Sequence, residues 1–240
     1  MQTKTTGIVL HTLKYSDSAT IVTIYTQQFG RVSYIAYGAN KKKSICRSAL
    51  LQPLSIVKLD VIHAPTKEIQ RIKELHTAVP FAEIPFNPAK NAIALFLSEL
   101  LFRTLRRSES DENLYRFLDK SIQLLDCCER GIANFHLVFL AKFTRYLGCE
   151  PNVEKEKNTY FDLMNGIFLH QKPLHTHYLL PEMAENMANL LKTDYNTMDK
   201  LVFSRRERFE LLESLVEYYR LHIPDFSGLH SLEVLQSLFD

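Results

Sequence analysis

Short runs of β-branched and apolar residues, separated by turn-forming residues, fill the first third of the chain. The clearest run reads TIVTIYT and ends at Thr26, and Gly30 follows it as a residue that readily turns the backbone. Such runs at close spacing are typical of a small barrel or sandwich. We predict five strands that close into an OB-fold barrel, over residues 5–13, 20–26, 31–37, 54–63 and 68–75.

In the third of these runs, RVSYIAY, successive side chains alternate strictly between the two faces of the strand. Tyr34 and Tyr37 are three positions apart in it, so their side chains point to opposite faces of the strand. Only one of the two tyrosines can therefore lie on a binding surface.

The pattern changes after a proline-rich segment at residues 80–88. Asn87 is a favourable N-cap and Pro88 a favourable first residue of a helix, and apolar residues then recur at helical spacing. An Asn165-Gly166 turn predicts a hairpin among the helices. Further helices are predicted over residues 114–125, 135–147, 181–191, 205–222 and 231–239.

These elements predict an α+β fold with two domains. A five-stranded OB-fold barrel occupies residues 1–80, and a mostly α-helical domain occupies residues 81–240. The helical domain contains a small hairpin region at about residues 149–178.

Positive charge is concentrated in the predicted barrel. Residues 1–80 hold eleven lysines and arginines against four acidic residues, a net charge of +7, whereas the remainder of the chain carries −5. An uneven distribution of this kind indicates a polyanionic partner, although chance unevenness on a solvated surface is the plainer alternative.

A loop after the third strand, GANKKKSICR, holds the densest positive charge. Lysines on a loop neutralise phosphates with little geometric demand. The alternative is that these lysines are ordinary solvent-exposed residues that only keep the loop hydrated. On this charge pattern we predict that the barrel binds nucleic acid through Arg31, Lys41, Lys42, Lys43, Arg47, Arg71 and Lys73.

The motifs of common enzyme classes are missing from the sequence. It contains no GxxxxGK[ST], GxGxxG, GxSxG or HExxH motif and only seven glycines. The four cysteines form no CxxC pair, and His175 and His177 match no compact zinc motif. We predict no catalytic activity, no cofactor and no metal, although an enzyme whose site is assembled from distant residues stays open.

No stretch of about 20 apolar residues occurs, so we expect no membrane segment, and no signal peptide is apparent. A cytoplasmic location is the expectation.

Several stretches, read in order, resemble the RecO family of bacterial DNA-repair recombination mediators. The resemblance covers most of the chain and is most specific over the first 55 residues. It rests on GIVL at residues 7–10, YSDS at 15–18, IVTIYT at 21–26, FGRVS at 29–33, YGA at 37–39, LLQPL at 50–54, YLGCEPN at 146–152 and YFDLMNGIF at 160–168.

The resemblance implies a non-enzymatic recombination mediator that is associated with the nucleoid. It implies binding of single- and double-stranded DNA, annealing of strands, and help in loading the RecA recombinase onto protein-coated single strands. It also implies association with RecR and with the acidic C-terminal tail of single-stranded DNA-binding protein. The basic positions 31, 41–43 and 47 match the family's DNA-binding positions.

One departure concerns zinc. Many family members carry a four-cysteine zinc site between the two central stretches quoted above, but here the segment VEKEKNT has no cysteine and only Cys149 lies near it. We therefore predict that the hairpin region holds without metal.

The third predicted helix offers a possible site for an acidic partner tail that ends in an apolar residue. Such a tail needs a hydrophobic groove rimmed by cations, and Phe139, Lys142, Phe143 and Arg145 supply that combination. The alternative is an ordinary amphipathic helix. For the whole chain, the alternative function is a helical interaction module whose barrel docks protein, not DNA.

Overall fold

The structure is a computed structural model that describes residues 2–37, 48–64, 66–106, 109–154, 156 and 158–238. It divides into two compact units, Met1–Cys127 and Cys128–Asp240. The last strand of the barrel ends at Thr77, close to the predicted domain boundary at residue 80, and the first unit also includes the two helices that follow. The boundary itself stays a prediction.

The barrel predicted from the sequence is present and closed. Its strands are joined in the order β1-β2-β3-β5-β4, with β3 and β5 parallel and the other pairs antiparallel, as in an OB-fold. The strands are β1 (Gln2–Lys14), β2 (Ala19–Thr26), β3 (Gly30–Tyr37), β4 (Ile56–Ile62) and β5 (Ile69–Thr77).

Alternate residues of each strand fill the interior of the barrel. In β3, Tyr34 and Ala36 are fully buried, and they pack with Val22 and Ile24 of β2. Gly7 is required where strands approach closely, because a Cβ atom there would lie 2.5 Å from the Ile24 side chain. The outward residues of the same strands are therefore the ones available for binding.

Two bulges adjust the register of the barrel. One lies in β1 between Val9 and His11, and the other shifts the β4–β5 pairing between Asp60 and Val61. Lys73 is the extra residue in β5, because Ile72 pairs with Val61 and Glu74 pairs with Asp60. Lys73 and Glu74 are consequently both exposed.

Two helices cover part of the barrel wall: α1 (Pro88–Thr104) and α2 (Glu112–Cys127). Asn87 caps α1 as predicted, since its side-chain oxygen accepts hydrogen bonds from the backbone N–H groups of residues 89 and 90. Ser98 of α1 donates a 2.6 Å hydrogen bond to the Leu10 carbonyl, and the Tyr25 hydroxyl donates to the Glu109 carbonyl. Leu10 and Tyr25 are thereby buried although they point outward.

The second unit is mainly helical, as predicted. Its helices are α3 (Ile132–Phe143), α4 (Pro181–Leu191), α5 (Arg205–His222) and α6 (Ser231–Leu238). The predicted third helix changes to a 3₁₀ turn over Thr144–Leu147 and ends at Gly148, which has a φ of 74°. No helix that the structure describes is long and apolar enough to cross a membrane.

A small three-stranded sheet lies among these helices in the order β7-β6-β8, with β6 (Tyr160–Asp162), β7 (Ile167–Leu169) and β8 (Tyr178–Leu179). The predicted hairpin is β6–β7, but its loop has four residues where the Asn-Gly pair suggested two. Asp162 explains the wider loop, because its carboxylate accepts hydrogen bonds from the backbone N–H groups of Met164 and Asn165 and from the Asn165 amide. The strand β8 was not predicted.

Candidate nucleic-acid interface

Part of the outer wall of the barrel is left open by α1 and α2, and β3 runs through its middle. Side chains there form a row across four strands, in which Leu13 pairs with Ile21, Ile21 with Ile35, and Ile35 with Arg71. We call this surface the β3 face and define it by its outward residues Leu13, Ile21, Ile35, Tyr37, Ile69 and Arg71.

The β3 face exposes apolar and aromatic side chains in one patch. Leu13 is 56% exposed, Tyr37 54% and Ile69 43%. A contiguous apolar patch on a protein surface is typical of a binding site.

Tyr37 and Arg71 lie together on this face. The guanidinium carbon of Arg71 is 5.8 Å from the centre of the Tyr37 ring, within the range of a cation–π contact. Tyr34, by contrast, is fully buried, and burial raises the pKa of its phenol well above the ordinary value. Of the two tyrosines, Tyr37 is therefore the one at the surface.

Arg31 lies at the opposite end of β3 and contacts the end of α1. Its Nη1 donates a 2.8 Å hydrogen bond to the Phe102 carbonyl, and its guanidinium carbon lies 4.5 Å from the centre of the Phe102 ring. Burial, and then the nearby charge of Arg106, lower the pKa of Arg31 from its ordinary value. Arg31 thus links β3 to α1, and the exposed Arg106 adds positive potential beside it.

Arg71 and Lys73 are both exposed on β5, on either side of the buried Ile72. They have different neighbours. Arg71 faces Tyr37 across the β3–β5 pair, whereas Lys73 donates a 2.6 Å hydrogen bond from Nζ to the Gln2 side-chain carbonyl on β1.

Four of the predicted contacts, Lys41, Lys42, Lys43 and Arg47, lie outside the described residues. In the sequence they follow Tyr37, the last residue of β3, by four to ten positions. In the sequence, the predicted basic loop therefore follows directly after the last residue of β3.

The residues predicted to bind a partner tail lie in the second unit and are only partly accessible. Phe139 and Phe143 are fully buried, so their rings offer no groove to a peptide. Lys142 forms an ion pair with Asp194, while Arg145 is exposed. A tail site here stays a prediction, and its apolar part would have to come from other side chains.

The histidines near the hairpin pair with carboxylates. His175 Nε2 lies 3.3 Å from Asp162 Oδ1, and His177 Nδ1 lies 3.1 Å from Glu217 Oε1. No three His, Cys, Asp or Glu side chains in the described part of the chain are grouped closely enough to hold a metal ion. Burial raises the pKa of the Cys149 thiol to about 11, which disfavours the thiolate that zinc requires. These side chains do not fit a zinc site, and the metal-free hairpin remains a prediction.

Sequence reasoning missed the apolar members of the β3 face, Leu13, Ile21 and Ile35. An apolar residue in a barrel strand is expected inside, and these three are outside. The available signal was Ile21 followed directly by Val22, since two adjacent apolar residues in a strand must point to opposite faces.

Comparison with known proteins finds matches over nearly the whole chain. Residues 1–81 match the family model described as "Recombination protein O N terminal", and residues 85–233 match "Recombination protein O C terminal". Proteins named "DNA repair protein RecO" from Phocaeicola vulgatus and Bacteroides fragilis are each 43% identical to the chain, with all of both chains covered. The protein of that name from Flavobacterium psychrophilum is 33% identical over the same coverage.

Proposed function

The chain belongs to the recombination protein O family, and from this premise we propose that it is a non-enzymatic, DNA-binding recombination mediator. Membership of the family gives the chain a role in DNA repair and recombination. The proposal adds that it binds single- and double-stranded DNA and anneals strands.

The β3 face is the surface that we propose for a single strand. Proteins that bind single strands combine stacking aromatic side chains with a positively charged path for the backbone. The observation that carries the proposal is the exposed Tyr37 ring with Arg71 beside it, next to an open apolar row. Bases would stack on Tyr37 and rest on Ile35 and Leu13, while Arg71 contacts a phosphate.

Cations near the start of β3 in the structure, and after its end in the sequence, support the same path. Arg106 is exposed beside Arg31 at one end, and the sequence continues from Tyr37 into Lys41, Lys42, Lys43 and Arg47 at the other. Contacts from such side chains go to the backbone and carry little sequence information.

Further partners are proposed from the family resemblance. They are RecR, the acidic C-terminal tail of single-stranded DNA-binding protein, and, indirectly, the RecA recombinase. We propose that the chain acts at the nucleoid in the cytoplasm, because the DNA that it binds would be located there.

A second candidate function is supported by the same apolar row. Exposed leucine and isoleucine side chains are also typical of protein–protein contacts, so the barrel could dock a protein in place of DNA. The two functions differ in what the basic loop does, because only DNA binding requires its lysines to meet phosphates.

The test is fluorescence anisotropy of a labelled oligo-dT with the wild type and with Lys41→Ala/Lys42→Ala/Lys43→Ala. Removal of three phosphate contacts should weaken binding by about tenfold or more at moderate salt. The matched control is Lys120→Ala/Lys192→Ala/Lys200→Ala, which removes three exposed lysines outside the barrel and should bind as the wild type does.

Loss of binding in the loop variant alone supports the DNA-binding barrel. If the wild type fails to bind oligo-dT even at low salt, DNA binding by this chain is wrong, and the protein-docking function takes its place.

A further inference from the structure

The apolar row of the β3 face consists of Leu13, Ile21 and Ile35, which lie side by side on three neighbouring strands of the barrel. Leu13 is 56% exposed, and Ile21 and Ile35 are partly exposed. Neighbouring strands are about 4.8 Å apart, so the row is about 10 Å long. This length is enough for a whole pyrimidine base to lie on the methyl and methylene groups of the row.

The surface next to the apolar row offers few free hydrogen-bonding groups to a base. Thr23 and Ser33 are the next outward residues along β2 and β3, and their hydroxyl groups are hydrogen-bonded to each other at 3.4 Å. Thr23 is only 5% exposed. Ile69 of β5, which pairs with Ser33, is 43% exposed and adds further apolar area. Among the described residues, the centre of the β3 face is therefore mainly hydrocarbon.

Positive charge on this face lies at its edge. Arg71 ends the row on β5, where it pairs with Ile35, and its guanidinium carbon is 5.8 Å from the centre of the Tyr37 ring. A backbone phosphate that contacts Arg71 would leave the attached bases free to turn toward the apolar row. Phosphate contacts of this kind position a strand, whereas contacts to the bases determine which sequence is preferred.

An apolar surface distinguishes between bases by the groups that it leaves without hydrogen bonds and by the groups that it covers. The amino group of cytosine would lose its hydrogen bonds to water there and find no acceptor on the row, which costs binding free energy. Thymine and uracil have the same hydrogen-bonding groups, but thymine carries an additional methyl group at C5. Complete burial of one methyl group strengthens binding about fourfold. Thymine is therefore the pyrimidine that suits the row best.

We propose that the apolar row is a specificity-determining surface that selects thymine through its C5 methyl group. Leu13 and Ile35 cover the methyl group, while Tyr37 stacks on a neighbouring base and Arg71 contacts the backbone. Because RNA has uracil in place of thymine, the same contact contributes to a preference for DNA over RNA. The inference rests on the proposed function and adds a base preference to it.

The test measures the affinities of the wild type for oligo-dT and oligo-dU of equal length, which differ only in the C5 methyl group. We expect oligo-dT to bind about fourfold more tightly, the effect of one fully buried methyl group. A second pair, oligo-dC and oligo-5-methyl-dC, adds the same methyl group to a different base, and this methylation should strengthen binding by a similar factor. Equal affinities within either pair would overturn the inference.

The variant Leu13→Thr/Ile35→Thr tests whether the preference belongs to the apolar row. Threonine suits a strand position but replaces apolar area with a hydroxyl group. The ratio of oligo-dT to oligo-dU affinity should fall close to one in this variant, whatever its absolute affinity. The matched control is Leu174→Thr/Val202→Thr, which changes two exposed apolar residues of the second unit and should keep the ratio of the wild type.

Stacking on Tyr37 is the competing source of a methyl effect, because a methylated base has more surface to place against an aromatic ring. Tyr37→Ala should therefore bind more weakly but keep the ratio. A preference that persists in Leu13→Thr/Ile35→Thr, or that disappears in Tyr37→Ala, contradicts the assignment to the row. If the row variant fails to fold, Tyr37→Ala and the methylated cytosine oligomer still decide. Binding of neither oligo-dT nor oligo-dU by the wild type would reject the proposed function as a whole, whereas equal binding rejects only the base preference.

Discussion

Tyr37 is the single residue on which the proposed strand path depends most. Its ring is half exposed with the Arg71 guanidinium beside it, so a base can stack on a surface that already carries positive charge. Tyr37→Ala should weaken oligo-dT binding by about 1–3 kcal/mol, the usual contribution of one stacked base. Tyr37→Phe keeps the ring and should lose much less. Anisotropy titrations at fixed salt measure both.

Phe86 supplies the matched control for this substitution. It is an aromatic residue of the same unit, 82% exposed, and it lies between β5 and α1, outside the strands of the barrel. Phe86→Ala should leave DNA affinity unchanged. If Tyr37→Ala binds as tightly as Phe86→Ala, the strand does not cross the β3 face.

At the residue scale, alternation along β3 was enough to separate Tyr34 from Tyr37. Alternation could not predict the hydrogen-bond partners of Arg31 or Asp60, because those partners are far away in the sequence. Phe102 is 71 residues from Arg31, and Gln2 is 58 residues from Asp60. Only the closed barrel with its covering helix brings these partners together.

At the scale of elements, each departure of the structure from the sequence-based prediction has a local cause. The fifth predicted strand alternates imperfectly because Lys73 is an extra residue at a bulge. The third helix was predicted as amphipathic, with Phe139 and Phe143 available to a partner, but residues 134–141 of α3 are all buried. A helix that is apolar on most sides belongs to a core, and a single helix pattern does not show how many neighbours surround it.

The β6–β7 hairpin yields a prediction about pH. Burial alone would raise the pKa of Asp162, but the hydrogen bonds from Asn165, Met164 and His175 lower it below the ordinary value. A carboxyl whose pKa is lower in the folded state contributes stability above its unfolded pKa and loses it as pH falls. Asp162→Asn should therefore cost about 1.5–3 kcal/mol of unfolding free energy near neutral pH. The difference from the wild type should shrink below about pH 4.

Urea unfolding of both proteins across this pH range measures the difference. His175→Gln is the control, because it removes the imidazole but leaves the backbone N–H groups that bond Asp162. We expect the unfolding free energy of His175→Gln to fall at low pH as that of the wild type does. A gap between wild type and Asp162→Asn that stays constant with pH would show that the carboxylate charge does not hold the hairpin loop.

For the whole molecule, two observations combine. The first 80 residues carry +7 and the remainder −5, and the open β3 face lies on the barrel within those residues. Charge asymmetry was readable from the sequence, and it pointed to the barrel, on which the proposed nucleic-acid surface lies. The apolar row was not readable, because it arises from pairing between strands that include the distant pair β3 and β5.

Salt dependence tests this arrangement for the molecule as a whole. Each phosphate neutralised on a single strand contributes about −0.7 to the slope of log affinity against log salt. Seven predicted basic contacts on the barrel would give a slope of roughly −5, and Lys41→Ala/Lys42→Ala/Lys43→Ala should reduce its magnitude by about 2. Lys120→Ala/Lys192→Ala/Lys200→Ala should leave the slope unchanged, because the acidic remainder of the chain repels a polyanion. Anisotropy titrations of oligo-dT over a salt series give all three slopes. An equal reduction in both triple variants would mean that the strand also follows the surface outside the barrel, and the positive first third would then not be the sole site of binding.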